Sequence, residues 1–322
     1  MAMSSQNTEV ILGIDAGGTK VSCGMVRTDG RILKAERFPV PRHRLDLLFS
    51  SCCGILDRLA TSCRADGLKP LGIGIAMRGL IDAEKNRLIS STLFRDAGTF
   101  DLCARLSEKY GLPVCMDNDV HAAALAEMQW GVGRKAGCLT YINVGTGLAV
   151  GIIDHGRLLR GFSNTGGELG GSLFLRADGG EKCTLEDIVS GYGMQREARR
   201  LLPLFPDSVL VKAAADGKDG DTRAIFDAAM AGDALADRVI TQAAGALAEA
   251  IINMEYIVNS GLYVLGGGIM NQQLFFERLQ QQLADIQKQM KISVAVRLQL
   301  SSLGADDAGL LGAASLILQT KI

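Results

Sequence analysis

The 322-residue chain is 48% hydrophobic and 21% charged, values typical of globular proteins, and it is longer than one hydrophobic core usually serves. We therefore expect two lobes. The formal net charge of −1, without long runs of one sign, argues against nucleic acid or an anionic membrane as partner and favours a small, near-neutral one. Eight scattered cysteines without a C-x-x-C pair, no membrane-length apolar run and no leader pattern indicate a cytoplasmic protein.

The first half of the chain predicts a β-meander followed by alternating helices and strands. Apolar and β-branched runs bounded by Gly and Asp indicate strands over 9–15, 21–28 and 31–38. Helical spacing of apolar residues then predicts a helix within 45–59, and LGIGIA at 71–76 reads as a buried strand. A helix near 100–110 precedes the strand LPVCM, and a further helix starts at Val120 with Asp119 at its N-cap.

The second half repeats this pattern. CLTYINV, LAVGIID and RLLRG again read as three strands, with the turn DHGR where the first half has TDGR. GGTKVSCGMVRTDGRIL and GTGLAVGIIDHGRLL align with little slippage, which indicates an internal duplication, although one short match also arises by chance. Downstream, the sequence predicts helices near 184–202, 222–230 and 233–259, strands in LYVLGGG and at 292–299, and the closing helix DAGLLGAASLIL.

Two glycine turns are candidates for binding phosphate. The first is not a P-loop, because its lysine follows the threonine and the next segment is a strand. One such turn alone reads as a hairpin, but two turns facing each other across a cleft would offer backbone N–H groups, hydroxyls and a lysine to a polyphosphate. Asp15, at the end of the first strand, would hold Mg²⁺ through water. The turns are Gly17-Gly18-Thr19-Lys20 and Gly145-Thr146-Gly147.

A third glycine cluster, Gly266-Gly267-Gly268, follows a strand. Ligands in α/β sheets collect at the carboxyl ends of strands, and a backbone without side chains lets a purine ring approach closely. A plain turn between strand and helix is the open alternative.

Four polar residues are candidates for acid–base chemistry and sugar binding. Asn118 and Asp119 stand where a strand leads into a helix, so the carboxylate of Asp119 can accept a hydroxyl proton during in-line attack on a phosphoryl group while Asn118 holds the acceptor. A plain helix cap is the alternative for Asp119. Glu168 and Glu186 lie in Gly-rich or apolar surroundings suited to binding sugar hydroxyls, with surface acids as the alternative.

Taken in order, several segments resemble the ROK family of bacterial sugar kinases and sugar-responsive repressors. They are DAGGTK, GLID, DNDVHAAALAE, NVGTGLAVGIIDHGRLLRG, GGELG, LEDIVSG, LGGGI and LGADDAGLLGAA. The resemblance covers nearly the whole chain from Glu9 onward. It implies an α/β, actin-like (ribonuclease H-like) ATPase fold duplicated in two lobes, which we place at 1–119 plus 305–322 and at 120–304. It also implies MgATP-dependent phosphorylation of a hexose or hexose derivative, most often at the 6-hydroxyl.

The resemblance implies roles for single residues. Asp119 matches the family's catalytic base, and Asn118 matches a sugar ligand beside it. Glu168 matches the sugar-binding glutamate of the motif G-E-x-G-H, Glu186 matches a second glutamate in L-E-x-x-x-S-G, and Gly79 belongs to the substrate-binding G-x-x-D segment. Two phosphate loops and an adenosine-binding cluster are matched by Gly17, Gly18, Thr19 and Lys20, by Gly145, Thr146 and Gly147, and by Gly266, Gly267 and Gly268.

The chain also departs from the family pattern. Gly171 replaces the histidine of G-E-x-G-H, and Cys183 is the only thiol where the family has a zinc motif, so we predict no structural zinc. Arg78 replaces a proline before Gly79, and STLF at 91–94 replaces the sugar loop P-N-L. Two expected hydrogen bonds to the sugar are thereby absent, so glucose does not follow as the substrate. His121 stands where Asn is common, and we interpret it as a structural helix residue.

Two other functions stay open at this stage. The first is a sugar sensor of the same family without catalysis; the start of the first strand near residue 9 leaves no room for the repressors' helix-turn-helix domain, so we expect no DNA binding. The second is an actin-fold ATPase that activates another enzyme through an Fe–S cluster, which the lack of paired cysteines disfavours. The resemblance suggests a homodimer or homotetramer.

Overall fold

The computed structural model describes residues 8–176, 181–211, 222–304 and 307–319. Contacts among these residues divide the protein into two compact units. The described parts of Met1–Gly137, Gly151–Gly166 and Ser301–Ile322 form the first unit, and those of Cys138–Val150 and Gly167–Leu300 form the second. No described helix combines the length and apolar character needed to cross a membrane.

The first unit is built on a five-stranded sheet. Its elements are β1 (Glu9–Ala16), β2 (Lys20–Arg27), β3 (Ile32–Pro39), α1 (Leu45–Ala65), β4 (Lys69–Met77), β5 (Leu80–Asp82), β6 (Arg87–Ser90), α2 (Leu102–Tyr110), β7 (Val114–Asn118), α3 (Asp119–Gln129) and the closing helix α9 (Ala308–Gln319). The strand order is β3-β2-β1-β4-β7. The first three strands pair antiparallel as the expected meander, and β4 and β7 continue the sheet parallel to β1.

Helices cover both faces of this sheet. Val10, Leu12 and Ile14 point to the face packed by α1 and α2, whereas Ile11 points to the face packed by α9 and by Ala126 of α3. The alternation along β1 is what a strand buried on both faces requires. A Cβ on Gly74 would clash with the backbone of Ala313, so this glycine lets α9 lie directly on the sheet.

The second half of the chain has a sheet of the same design. Its elements are β8 (Leu139–Val144), β9 (Leu148–Asp154), β10 (Arg157–Leu158), β11 (Leu173–Leu175), β12 (Lys182–Thr184), α4 (Glu186–Val189), α5 (Gly191–Leu201), α6 (Thr222–Met230), α7 (Ala234–Val258), β13 (Leu262–Gly266), α8 (Gln273–Met290) and β14 (Arg297–Leu300). The strand order β10-β9-β8-β13-β14 matches β3-β2-β1-β4-β7 position by position. The internal duplication predicted from the paired meanders is therefore a feature of the topology.

Several boundaries differ from the predictions. Helix α3 and residues 151–166 belong to the first unit rather than to a lobe at 120–304, because α3 packs against α9 and Gly151 fits against Ala124. The helix expected near 184–202 is interrupted at Ser190, whose Oγ caps α5 by accepting from Gly193 N at 2.9 Å. The strand expected at 292–299 is β14 (Arg297–Leu300), and helix α8 was not among the predicted elements.

Candidate active site

The first glycine turn joins β1 to β2 and is held by backbone hydrogen bonds. Gly17 N donates to Lys20 O at 3.1 Å, and Val40 N donates to Thr19 O at 3.1 Å. The Nη2 of Arg42 donates to Gly18 O at 3.2 Å. The turn is thus a hairpin connection, and it also leaves the side chains of Thr19 and Lys20 exposed to solvent.

Asp15 ends β1 next to this turn. Its carboxylate lies against Gly309 in the first turn of α9, where a Cβ would occupy the same space. Burial, followed by the negative charge of Asp119, raises the pKa of Asp15 to about 7, while the charges of Lys20 and Arg37 oppose the rise. Because a hard cation prefers such oxygen donors and offsets this repulsion, the carboxylate fits a magnesium ion.

Asn118 and Asp119 lie at the junction of β7 and α3, as predicted, but the helix cap is Asn118 and not Asp119. Asn118 Oδ1 accepts from Val120 N at 2.8 Å and from His121 N at 3.4 Å, and one Nδ2–H donates to Gly79 O at 3.1 Å. Gly79 has φ +148°, and a Cβ there would lie 2.6 Å from Ser90 O. The polar atoms of Asn118 therefore fix the position of Gly79 and the start of α3.

Asp119 is the first residue of α3, and its side chain is half-buried. Burial raises the pKa of Asp119, and the positive charge of Arg78 is the main opposing influence. The same Arg78 guanidinium lies 3.3 Å from the position of a Cβ on Gly18. Arg78 therefore lies between the glycine turn and the candidate base, a placement that the sequence signalled only as a replaced proline.

A buried ionic cluster supports this junction. Asp117, on β7, has a side chain only 2% exposed, and it binds Arg160 and His121. Burial favours the neutral acid, but the bonds and charges of His121 and Arg160 outweigh it and lower the pKa of Asp117. His121 is a buried helix residue, and it also contacts Gly166 O at 2.9 Å.

In the second unit, the second glycine turn is tied to the N-terminus of α5. Gly145 N donates to Gly147 O at 3.0 Å, and Gly191 N donates to Gly145 O at 2.8 Å. Glu186 Oε2 accepts from Leu148 N at 2.9 Å. A Cβ on Gly147 would lie 2.7 Å from that same carboxylate oxygen, so Glu186 closes one side of the turn.

The third glycine cluster adjoins a cavity of about 410 Å³, a size typical of small-molecule sites. Gly267 has φ +93°, and a Cβ there would lie 2.8 Å from Asn143 Oδ1, so glycine is required. Gly145, Thr146, Gly267 and Gly268 line the cavity, whereas Gly266 packs against the Tyr141 ring and Gly147 faces Glu186. Lining residues that sequence reasoning missed are Asn143, Gly191, Tyr192, Gln195, Thr222, Arg223, Phe226, Ile269 and Gln272.

Glu168 begins a short 3₁₀ turn over Leu169–Gly171 and is exposed. A Cβ on Gly170 would lie 3.3 Å from the carboxylate of Glu186, so the structure brings the two predicted sugar-binding segments together. Nothing lies within 4 Å of a Cβ at Gly171, which leaves open space where the family has histidine. Cys183 Sγ contacts Phe174 O at 3.7 Å within the β11–β12 hairpin, and the absence of zinc stays a prediction.

Several known proteins are similar to this chain in sequence or in structure. A model of the ROK family matches residues 11–320. The glucokinase of Thermotoga maritima is 30% identical, covering 95% of this chain and 96% of that protein. The ROK hexokinase of Thermus thermophilus has 28% identity and a TM-score of 0.79, with 97% and 99% of the two chains covered. A ROK family glucokinase from Streptomyces griseus, solved with glucose and AMPPNP, has 26% identity and a TM-score of 0.72, with 96% and 99% covered.

These matches agree with the site chemistry. The duplicated α/β sheets are those of the actin-like ATPase fold predicted from the sequence. A glycine-lined cavity fits a nucleotide. The carboxylate of Asp15 fits a magnesium ion, and that of Asp119 fits a proton acceptor. The match covers nearly all of the sequence, so the chain belongs to the ROK family, as an ATP-dependent sugar kinase that uses Mg²⁺.

Proposed function

We propose that this kinase transfers the γ-phosphoryl group of ATP to the 6-hydroxyl of a hexose or hexose derivative, with Asp119 as general base. The observation that carries the proposal is the half-buried carboxylate of Asp119, whose pKa burial raises, with Arg78 between it and the glycine turn of the same unit. A carboxylate with a raised pKa accepts a hydroxyl proton more readily than one with an ordinary pKa.

The chain's own groups would position the reactants. Lys20, Thr19 and the backbone of Gly17 and Gly18 would bind phosphate oxygens, as would the turn Gly145-Thr146-Gly147. Asp15 would hold Mg²⁺ through water, and the ion would supply neutralising charge at the phosphates. Gly267 and Gly268 would adjoin the adenine ring in the cavity of the second unit, where Gly266 provides close packing beneath them.

The proposed sugar ligands are Asn118, Gly79, Glu168 and Glu186. Two of them are already engaged within the protein, since Asn118 binds Gly79 O and Glu186 accepts from Leu148 N. Their remaining hydrogen-bonding capacity, with the exposed carboxylate of Glu168, would bind sugar hydroxyls. Because Gly171 contributes no side chain, we expect this site to discriminate less sharply at one hydroxyl than a site with histidine there.

The test is ADP release with MgATP across hexoses, N-acetylhexosamines, ketoses and deoxy sugars, with Asp119→Ala as the matched control. We expect turnover on at least one sugar, a loss of about 10²–10⁴-fold in the variant, and binding without turnover for the 6-deoxy form of the substrate. Undiminished turnover in Asp119→Ala would refute the assignment of the base. Turnover of the 6-deoxy sugar would refute the 6-hydroxyl.

A sugar sensor without catalysis is the second candidate, and the open space at Gly171 is the observation that favours it. Sugar binding by calorimetry without ADP release on any sugar of the panel would support it. We also propose that the enzyme is a cytoplasmic homodimer or homotetramer. The cysteines within the described residues are free thiols, in keeping with a reducing compartment, and light scattering would measure the assembly.

A further inference from the structure

The loop at 160–166 has a closed neck formed by Arg160 and Gly166. Gly166 N donates to Arg160 O at 2.8 Å, and a Cβ on Gly166 would lie 2.8 Å from that same oxygen. The tip of the loop is open to solvent, since Phe162 there is fully exposed. Two residues after Gly166 in the chain stands Glu168, the proposed sugar ligand. The geometry of the neck therefore sets where the chain segment leading to Glu168 begins.

The side chains of Asp117 and His121 hold this neck. Asp117 binds Arg160 at the start of the loop, and His121 contacts Gly166 at its end. Asp117 Oδ2 accepts from Arg160 Nε at 2.8 Å and from Arg160 Nη2 at 2.7 Å, a bidentate ion pair on the incoming side. His121 Nε2 lies 2.9 Å from Gly166 O on the outgoing side. The other ring nitrogen, Nδ1, lies 3.0 Å from Asp117 Oδ1. Asp117 and His121 are both buried, so water does not readily replace these bonds.

Both ring nitrogens of His121 therefore face oxygen acceptors. A carbonyl oxygen only accepts, and an ionised carboxylate only accepts. A neutral imidazole has one N–H and would leave one nitrogen lone pair against an oxygen lone pair, whereas the imidazolium donates to both. The arrangement around His121 is complete only when the ring is positively charged.

We infer that His121 is a positioning residue whose positive charge clamps Gly166 and thereby fixes the approach to Glu168, so that sugar binding weakens when the ring loses its proton. The inference rests on the proposed role of Glu168 in binding sugar. It goes beyond the structural helix role predicted from the sequence, because the protonation state of the ring then controls affinity.

The groups around the His121 ring favour its protonated, positively charged form. Burial lowers the pKa of His121, but the bond to Asp117, the charge of Asp117 and the carbonyl of Gly166 outweigh burial and the repulsion from Arg160, so the net pKa is raised. The remaining charged group that senses the ring is Asp119, whose pKa His121 helps to lower. As the pH rises through the raised pKa, the stabilisation of the clamp is lost, and it is fully present below the pKa of an unfolded histidine.

Deprotonation has a defined consequence at the neck. The single remaining proton stays on Nδ1, because a carboxylate is a stronger acceptor than a carbonyl. Nε2 then presents a lone pair to Gly166 O, and the outgoing side of the neck is released. The ion pair of Asp117 with Arg160 does not depend on this proton. We expect the Michaelis constant for sugar to rise about tenfold at high pH, the effect of losing one hydrogen bond to a charged group, with little change in maximal rate.

The first experiment is ¹⁵N NMR of the full-length protein labelled at its three histidines, with His121→Asn to assign the signal. We expect both ring nitrogens of His121 to carry protons at neutral pH, and its pKa to exceed that of an unfolded histidine, about 6.5. A single protonated nitrogen at that pH, or titration below it, would overturn the inference. This readout does not depend on catalysis, so it separates failure of the clamp from failure of the kinase assignment.

The second experiment measures the affinity for sugar against pH, as the Michaelis constant for the best substrate or as a calorimetric dissociation constant. The wild type should lose affinity about tenfold as His121 deprotonates. His121→Asn should lack the tenfold loss seen in the wild type and stay close to the weaker limit, whereas His155→Asn and His43→Asn should keep the wild-type profile. The same pH profile in His121→Asn and in the wild type would overturn the inference.

Discussion

The glycine turns at 17–20 and 145–147 follow equivalent strands of two sheets with the same strand order, yet their surroundings differ. The first turn is surrounded by charge, with Asp15 before it, Arg42 on its carbonyl and Arg78 beside Gly18. The second is surrounded mainly by backbone and neutral groups, apart from the carboxylate of Glu186 on one side. Gly145 O accepts from Gly191 N, and the adjoining cavity is lined mainly by glycines, amides and hydroxyls.

The difference shows which part of each site the duplicated backbone supplies and which part the side chains supply. The strand–turn–strand unit provides N–H groups in both copies, so both copies are suited to binding phosphate. Asp15 and Asp119 lie near the first copy, where burial raises their pKa values and the positive charges of Lys20, Arg37 and Arg78 oppose the rise. Close-packed glycines lie near the second, where Gly267 lets the chain pass beside Val144 and Asn143. We propose that proton transfer takes place near the first copy and that adenosine binds near the second.

The largest expected effect comes from removing the buried carboxylate of Asp117 in the first unit. Asp117→Ala leaves Arg160 and His121 without their shared carboxylate in a buried site, and breaking such a pair costs about 3–5 kcal/mol of unfolding free energy. Urea denaturation measures the loss. Because the pKa of Asp117 is lowered on folding, its contribution is present above the pKa of an unfolded aspartate, about 3.9, and fades as the pH falls.

Glu36→Ala is the control for this prediction. Glu36 also pairs with an arginine of the first unit, Arg58, but both side chains are largely exposed, so solvent screens the pair and a much smaller change is expected. If the two variants lost equal stability, or if the effect of Asp117→Ala did not shrink as the pH falls below about 3.9, the cluster would not have the importance assigned to it.

A second prediction concerns the glycine cluster beside the cavity of the second unit. In Gly267→Ala the backbone at φ +93° and ψ 167°, a region almost restricted to glycine, costs about 1–3 kcal/mol, and the new methyl group meets Val144 and Asn143 at the edge of the cavity. We expect the Michaelis constant for ATP to rise about tenfold or more, because relief of the clash moves the glycines that line the cavity. Initial rates at varied ATP concentration and saturating sugar measure this.

Gly232→Ala provides the matched control. Gly232 has nearly the same backbone angle, φ +87° against +93°, but nothing lies within 4 Å of a Cβ there. It should lower thermal stability through the positive φ and leave the Michaelis constant for ATP unchanged. Equal effects of the two variants on ATP would mean that Gly267 acts through stability and not through the cavity.

The parts of the fold that follow from local patterns could be predicted from the sequence. Strands β1, β2 and β4 and helices α1 and α7 combine strong apolar periodicity with clear ends, and their predicted ranges fall within a few residues of the observed ones. Helix α8 could not be recognised as easily, because Phe275, Leu279 and Leu283 are its only fully buried residues and the remainder is rich in glutamine. Its partner α7, buried along much of its length, supplies the stabilising contacts.

The site shows the same limit at the level of single residues. Both Asn118 and Asp119 are good helix caps, and the choice between them depends on strand pairing, which runs as far as Asn118 opposite Met77. Arg78 lies opposite Gly18, about 60 residues away along the chain, a contact that no local pattern encodes. Tyr192 and Gln195 reach the cavity only because Ser190 starts a new helix there.

The smallest predicted effect tests the positive charge of Arg78 beside the first glycine turn. Arg78 holds down the pKa of Asp119, so Arg78→Ala should raise that pKa further and move the acidic limb of the pH profile of kcat/KM to higher pH. The base must be ionised to accept a proton, so the rate falls on the acidic side while the plateau at high pH changes less. Arg78→Lys, which keeps the positive charge, should restore most of the wild-type profile.

Arg42→Ala is the control that assigns this shift to Asp119. Arg42 contacts the same glycine turn through Gly18 O, whereas Arg78 is the charge that most opposes the raised pKa of Asp119. The positive charges that most oppose the raised pKa of Asp15 are Lys20 and Arg37, so we assign a limb that moves with residue 78 to Asp119. Movement of the limb in Arg42→Ala by as much as in Arg78→Ala would mean that the general positive potential of the turn, and not the position of Arg78, sets the ionisation of the base.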